Sequence, residues 1–183
     1  AHCASHESYT DVPAGAWFHD AVDYVTEKGY MIGYGEGVFE PYGKLTRAEL
    51  VQTLYRISGE HTDSLETPFT DVAEGAWYAE AVAWAYQAGI VNGMTATTFE
   101  PNAPATREQV VCMIYRFLDG EAVAEDHLAE FADRKEISGW ALEAMNWAVA
   151  NGLVIGTDEG KLNPRGRILR CEFAQIIARF SED

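Results

Sequence analysis

Thr10-Asp11-Val12 recurs as Thr70-Asp71-Val72, an offset of 60 residues that runs without a gap to the end of the copy. In that register roughly a third of positions are identical, including Trp17/Trp77, Gly29/Gly89, Gly33/Gly93, Phe39/Phe99, Pro41/Pro101 and Arg47/Arg107. A third copy lies at offset 63 from the second and carries Trp140, Trp147, Gly152, Gly156, Pro164 and Arg170. In all three the first Trp precedes the Arg by 30 residues and the Pro precedes it by 6. An internal repeat of this kind governs the fold before any local reading does. The copies span 9–60, 69–120 and 131–183, joined by short acidic, polar linkers at 60–68 and 121–130.

Each copy reads helix, loop, helix. Trp17, Ala21, Tyr24 and Lys28 fall at i, i+4, i+7 and i+11, as do Trp77, Ala81, Trp84 and Ala88, and Trp140, Ala144, Trp147 and Asn151. That spacing is one helical face. Gly29, Gly89 and Gly152 stand where a left-handed C-cap ends the helix. The second helix opens at Thr46-Arg47-Ala48-Glu49 or Thr106-Arg107-Glu108-Gln109, both of which fit a capping box. Apolar residues follow at helical spacing: Leu50, Leu54 and Ile57; Val110, Ile114 and Phe117; Phe173, Ile176 and Phe180. A lone helical pair cannot bury both its apolar faces, whereas stacked repeats can. The expectation is therefore an all-α chain, three helix-loop-helix repeats packed as one compact pseudo-threefold helical bundle, preceded by a flexible tail at 1–8.

The 183 residues carry 13 Lys+Arg against 29 Asp+Glu, a net charge of −16. That charge disfavours nucleic acid as a partner, and no apolar run approaches the roughly 18 residues of a membrane span. Cys3, Cys112 and Cys171 are too few for a disulfide scaffold; the latter two sit in apolar helical patterns and read as core. His2, Cys3 and His6 read as stray terminal residues and not as a metal site, and residues 1–8 lack the pattern of an uncleaved export signal. His19, His61 and His127 occupy unrelated repeat positions, no acid pair stands out, and no phosphate-loop, zinc or calcium signature is present. Neither an enzyme nor a cofactor is expected.

The arginines contain an internal control. Arg56, Arg116 and Arg179 follow the tetrad arginines by 9 residues and fall at helix C-termini, where a cation complements the dipole. Arg47, Arg107 and Arg170 fall in the first turn, at the wrong end, so their placement needs another gain. One candidate is an anion held by the helix N-terminus and the guanidinium fork. The other is a salt bridge to an acid of a neighbouring copy. Trp17, Trp77 and Trp140 have two readings as well: core packing, which their helical face favours, or an indole edge lining a groove against a sugar ring. Tyr24, Trp84 and Trp147 are assigned to core. Gly33, Gly93 and Gly156 serve a turn or admit a close ligand; Asp11, Asp71 and Asp133 cap a turn or accept sugar hydroxyls.

Asp11…Trp17…Gly29…Gly33…Phe39-Glu40-Pro41…Thr46-Arg47-Ala48-Glu49 resembles the S-layer homology module, and the later copies follow it from about Tyr9 to the end of the chain. The resemblance implies a non-catalytic anchor that holds a larger extracellular bacterial protein to secondary cell-wall polysaccharide, often bearing pyruvate ketals. It also implies grooves between repeats, with Arg47, Arg107 and Arg170 as the residues for the anionic sugar. With that family in view the ligand reading of these arginines overtakes the salt bridge. The third copy departs from the tetrad: Leu169-Arg170-Cys171-Glu172 has no hydroxyl cap, a loss of about 1 kcal/mol. A groove using Arg170 is expected to be the weakest. The alternative is an assembly module of the surface layer acting by protein–protein contact. Arginines that face solvent in a groove favour the glycan; arginines that are buried and paired favour structure alone.

Overall fold

The computed structural model describes residues 9–181. The tail 1–8, with His2, Cys3 and His6, lies outside the described residues. Among the described residues there are six α-helices and no strand: α1 (His19–Glu27), α2 (Arg47–Ser58), α3 (Ala79–Gln87), α4 (Arg107–Phe117), α5 (Leu142–Ala150) and α6 (Arg170–Ser181). Short 3-10 turns at Arg134–Glu136 and Gly139–Ala141 precede α5. Among the described residues no helix is long and apolar enough to cross a membrane.

The first helix of each copy starts later than its pattern suggests. Trp17 and Trp77 lie in the turns before α1 and α3, and Trp140 in the 3-10 turn before α5. Their other ends match expectation. Gly29, Gly89 and Gly152 take φ of 76°, 77° and 73°, which an L side chain adopts only at a cost. The reversal lets the Tyr30 N–H reach the Val25 carbonyl at 2.9 Å and the Ile90 N–H reach Ala85 at 2.8 Å, closing the last turn.

The second helices are capped as read. The Thr46 hydroxyl accepts the Glu49 N–H at 3.1 Å, and Thr106 with Gln109 forms a complete capping box. Leu169 has no hydroxyl to offer, yet its own N–H donates to Glu172 at 3.0 Å, so the acidic half of the box survives in the third copy.

The next donors of these helices find carbonyls in another copy. The Arg47 and Ala48 N–H groups donate to Ala103 and Pro101 at 3.0 and 2.8 Å. Those of Arg107 and Glu108 donate to Gly166 and Pro164 at 2.9 and 2.8 Å. Those of Arg170 and Cys171 donate to Gly43 and Pro41 at 2.8 and 2.9 Å. Orphan donors at a helix start must be satisfied somewhere, and here the proline loop of a different copy does it. This corrects the expectation of free N–H groups at these termini: their first donors are occupied by the protein's own backbone.

The chain divides into two compact units, one formed by 1–45 with 168–183 and the other by 46–167. In the first unit α1 packs on α6, over Phe18, Val22, Phe39, Leu45, Phe173 and Ile177, all buried. In the second α2 packs on α3 and α4 on α5, with a smaller α2–α4 contact, over Leu50, Leu54, Val82, Phe99, Ile114, Leu128 and Met145. Fully burying each such side chain contributes about 1.5–3 kcal/mol. The pairs α2–α3 and α4–α5 join helices of different copies, whereas α3 and α4, of one copy, do not pack along their lengths and meet through the Trp84 and Phe117 rings, whose centroids lie 6.0 Å apart. Cys112 and Cys171 are buried as expected, and burial pushes both thiols up to about 11.

Candidate ligand cavity

In the second unit, Arg47 opens α2 and lies flat against the ring of Phe99, its guanidinium carbon 4.7 Å from the centroid. Its Nε donates to the Phe99 carbonyl at 2.9 Å. The residue is 3% exposed. Burial lowers its pKa from the ordinary arginine value, against a raising pull from Glu100 and Asp71. Among the described residues no other hydrogen bond or ion pair engages it. Arg47 lines a cavity of about 330 Å³.

One face of α4 also lines it. Gln109, Cys112, Met113 and Arg116 fall at i, i+3, i+4 and i+7, the spacing of a single helical stripe. Val91, Asn92, Gly93 and Met94 supply a third side and Trp140 a fourth. Gly93 has φ of 90°, and a Cβ there would meet the Thr95 and Thr98 carbonyls at 2.7 Å as well as the ring of Phe69. No carboxylate lines the cavity, although the chain has 29 acids. Two guanidinium groups beside Met, Val and Trp make a site for an anion attached to an apolar or ring-shaped body.

Of the twelve residues expected at ligand sites, the cavity brings together Arg47, Gly93 and Trp140. Trp17, Trp77 and Trp140 are 62, 61 and 60% exposed, so the core-packing reading of these tryptophans is overturned. They precede their helices instead of lying on the buried face. Trp17 and Trp77 are braced edge-on by the next aromatic residue, Phe18 at 5.2 Å and Tyr78 at 5.1 Å. Trp84 and Trp147 are core residues as read, and Tyr24 is half-buried.

The aspartates cap turns. Asp11 accepts from Phe39 and Glu40 at 2.9 and 2.7 Å, Asp71 from Phe99 and Glu100 at 2.9 and 2.8 Å, and Asp133 from Leu162 and Asn163 at 2.9 and 2.7 Å. Glu40, Glu100 and Asn163 have φ of 59°, 58° and 50°, a left-handed conformation that the carboxylate holds in place just before each proline. Gly33 and Gly156, like Gly93, leave room for an aromatic ring of their own copy: a Cβ at Gly33 would fall 2.6 Å from Tyr9, and one at Gly156 2.7 Å from Phe131.

Arg107 is half-buried and runs so close over Gly166 that a Cβ there would collide with its Nη1. Arg170, in the first unit, is 3% exposed. Its Nε donates to the Phe39 carbonyl at 3.1 Å, one terminal nitrogen to the Ile32 carbonyl at 2.8 Å and the other to the Tyr34 hydroxyl at 3.4 Å. Sequence reasoning missed Arg116, which it gave only a dipole role. It also missed Met94, Gln109, Cys112 and Met113 as cavity lining; the α4 stripe was legible as a helical face, with Cys112 read as core, but not as the wall of a cavity.

Tandem helix-loop-helix repeats whose proline loops satisfy the helix starts of another copy, with a cavity lined by residues of all three copies and holding two arginines, define a repeat-built helical module. The S-layer homology domain profile matches residues 8–51, 68–111 and 130–174, and the chain belongs to that family. It is 31% identical over 176 residues to an S-layer protein of Bacillus thuringiensis subsp. finitimus, covering 96% of this chain and 21% of that protein. It is 34% identical over 167 residues to a surface-layer 125 kDa protein of Lysinibacillus sphaericus, covering 90% and 14%. It is also 30% identical over 164 residues to an amylopullulanase of Thermoanaerobacterium thermosulfurigenes, covering 88% and 9%. The chain thus spans about a fifth or less of the length of these relatives. Membership makes it a cell-surface anchoring module with an extracellular, cell-wall or S-layer location, of a kind also carried by a protein named as an enzyme.

Proposed function

We propose that this module anchors a larger surface protein by binding secondary cell-wall polysaccharide, with a carboxylate such as a pyruvate ketal held by Arg47. The observation that carries the reading is an arginine that gives its Nε–H to the Phe99 carbonyl and lines a cavity to which no described carboxylate contributes. A planar donor fork suits a carboxylate, and Met94, Met113 and Trp140 suit the ketal methyl and the sugar ring. The net charge of −16 opposes an anionic polymer, but beyond about 8 Å that repulsion is screened in physiological salt. Local contacts then set the affinity, and its dependence on salt is modest.

The test is calorimetric titration of the chain with a synthetic pyruvylated N-acetylhexosamine beside the same sugar lacking pyruvate. Binding that requires both the pyruvate and Arg47, lost in a folded Arg47→Ala variant, supports the reading. A folded protein that binds neither the sugar nor purified sacculi overturns it in favour of a protein–protein assembly module.

A further inference from the structure

Arg116 sits in the last turn of α4, where complementing the helix dipole accounts for an arginine. Its counterparts Arg56 and Arg179 occupy the last turns of α2 and α6. Yet Arg116 alone among these three lines the cavity. One of its nitrogens donates to the Ile90 carbonyl at 3.1 Å, which fixes the side chain across the end of the 91–94 loop. Among the described residues no carboxylate bonds to it, and its other donors are uncommitted. The stripe from Gln109 to Arg116 covers eight residues of helix, about 10 Å along the axis from first to last, longer than a single pyranose ring. At one end of the stripe Gln109 is engaged by the Thr106 N–H and the Met94 sulfur. At the other end stands a pinned cation.

Resting on the polysaccharide reading above, we infer that Arg116 is a second ligand-contacting residue and that the cavity takes two consecutive sugars of an anionic chain. Arg47 holds the carboxylate of one. Arg116 holds an anionic or hydroxyl group of the next. The dipole role is kept, since the same side chain serves both.

The experiment uses the chain with two probes, a pyruvylated N-acetylhexosamine monosaccharide and purified pyruvylated wall polysaccharide, and four variants checked for fold by circular dichroism and thermal melting. Arg47→Gln weakens both probes tenfold or more, the size expected for losing a charged hydrogen bond. Arg116→Gln weakens the polysaccharide about tenfold and changes the monosaccharide less than about twofold. Arg116→Lys recovers part of the polysaccharide affinity. Arg56→Gln removes a helix-end cation outside the cavity and leaves both affinities at the wild-type level, separating ligand contact from helix stability. If Arg116→Gln matches Arg56→Gln on both probes while Arg47→Gln weakens them, the second contact is overturned and the polysaccharide reading stands. If Arg116→Gln weakens both probes equally, the two-sugar cavity is overturned. If the wild-type chain binds neither probe, the polysaccharide reading fails and this inference fails with it.

Discussion

Arg47 and Arg170 begin as the same residue in the same motif and end in different employment. Each opens a helix, is 3% exposed, gives its Nε to a phenylalanine carbonyl (2.9 Å to Phe99, 3.1 Å to Phe39) and lies on that phenylalanine's ring. They part at the loop that faces them. Arg170 meets the first copy's loop, where the Ile32 carbonyl and the Tyr34 hydroxyl take its terminal nitrogens and the Tyr34 ring adds a face at 4.5 Å. Arg47 meets the second copy's loop, where Met94 stands at the position of Tyr34 and its sulfur is engaged by Gln109. The Arg170 guanidinium is bonded through all three of its nitrogens; the Arg47 guanidinium is committed at one and faces a cavity. Identical motifs therefore do not make identical surroundings, and the side chain opposite the arginine decides which is held as a brace and which lines a cavity.

The largest expected effect comes from removing the brace. Arg170→Ala leaves the buried Phe39 carbonyl without its arginine donor and removes the bonds to the part-buried Ile32 carbonyl and to Tyr34, a loss of about 2–5 kcal/mol, read as a lower urea midpoint. Arg47→Ala orphans one carbonyl and costs about 1–3 kcal/mol. A loss for Arg47→Ala as large as that for Arg170→Ala would break the comparison. Exchanging the facing residues comes next. Met94→Tyr offers Arg47 a ring and a hydroxyl and fills part of the cavity, so affinity for pyruvylated sugar falls about tenfold, by calorimetry, with stability held or raised. The reciprocal Tyr34→Met removes one long hydrogen bond and a cation–π contact and lowers stability by about 1 kcal/mol.

The smallest effect is chemical. Cys112 lines the cavity and Cys171 does not, while both thiols are pushed up by burial to about 11. At pH 8 only about one thiol in a thousand is ionised at either position, so both alkylate slowly, and faster as the pH is raised toward 11. Peptide mass mapping with a small alkylating reagent is expected to find Cys112 modified first and protected by pyruvylated sugar. Equal labelling of both cysteines would mean that the cavity gives Cys112 no special access.

Much of the architecture was legible in the sequence because it was written three times. The glycine stops at Gly29, Gly89 and Gly152, the Thr46 and Thr106 caps and the core phenylalanines Phe39, Phe99 and Phe173 all follow from local chemistry. The tryptophans misled because Trp17, Ala21 and Tyr24 fit a helical stripe whose first member lies ahead of the helix; helix starts are set by caps and turns, which the stripe does not encode. The helix N-termini misled because the carbonyls that fill them belong to prolines 53, 56 and 130 residues away in sequence: Pro101 serves Ala48, Pro164 serves Glu108 and Pro41 serves Cys171. The spacing from Pro to Arg was visible within each copy, but its purpose lies between copies. At the cavity, Arg47 was singled out by its misplaced charge and read as a ligand residue only with the family in view, whereas Arg116 was given a helix-dipole role that accounts for its position.

The cross-copy helix pairs bear on how such a chain is cut, copied and recombined. The unit that repeats in the sequence begins before one first-type helix and ends after the next second-type helix, yet α2 is packed on α3, α4 on α5 and α6 on α1. The genetic period and the packing period are thus out of phase by half a copy. A deletion or crossover that respects the linkers at 60–68 and 121–130 parts α2 from α3 or α4 from α5, stripping two helices of their partners. One that falls inside the loop between α3 and α4 leaves both of those pairings intact. Gene fusions and truncations of this module are best drawn through the middle of a repeat, where alignments of the copies place no boundary.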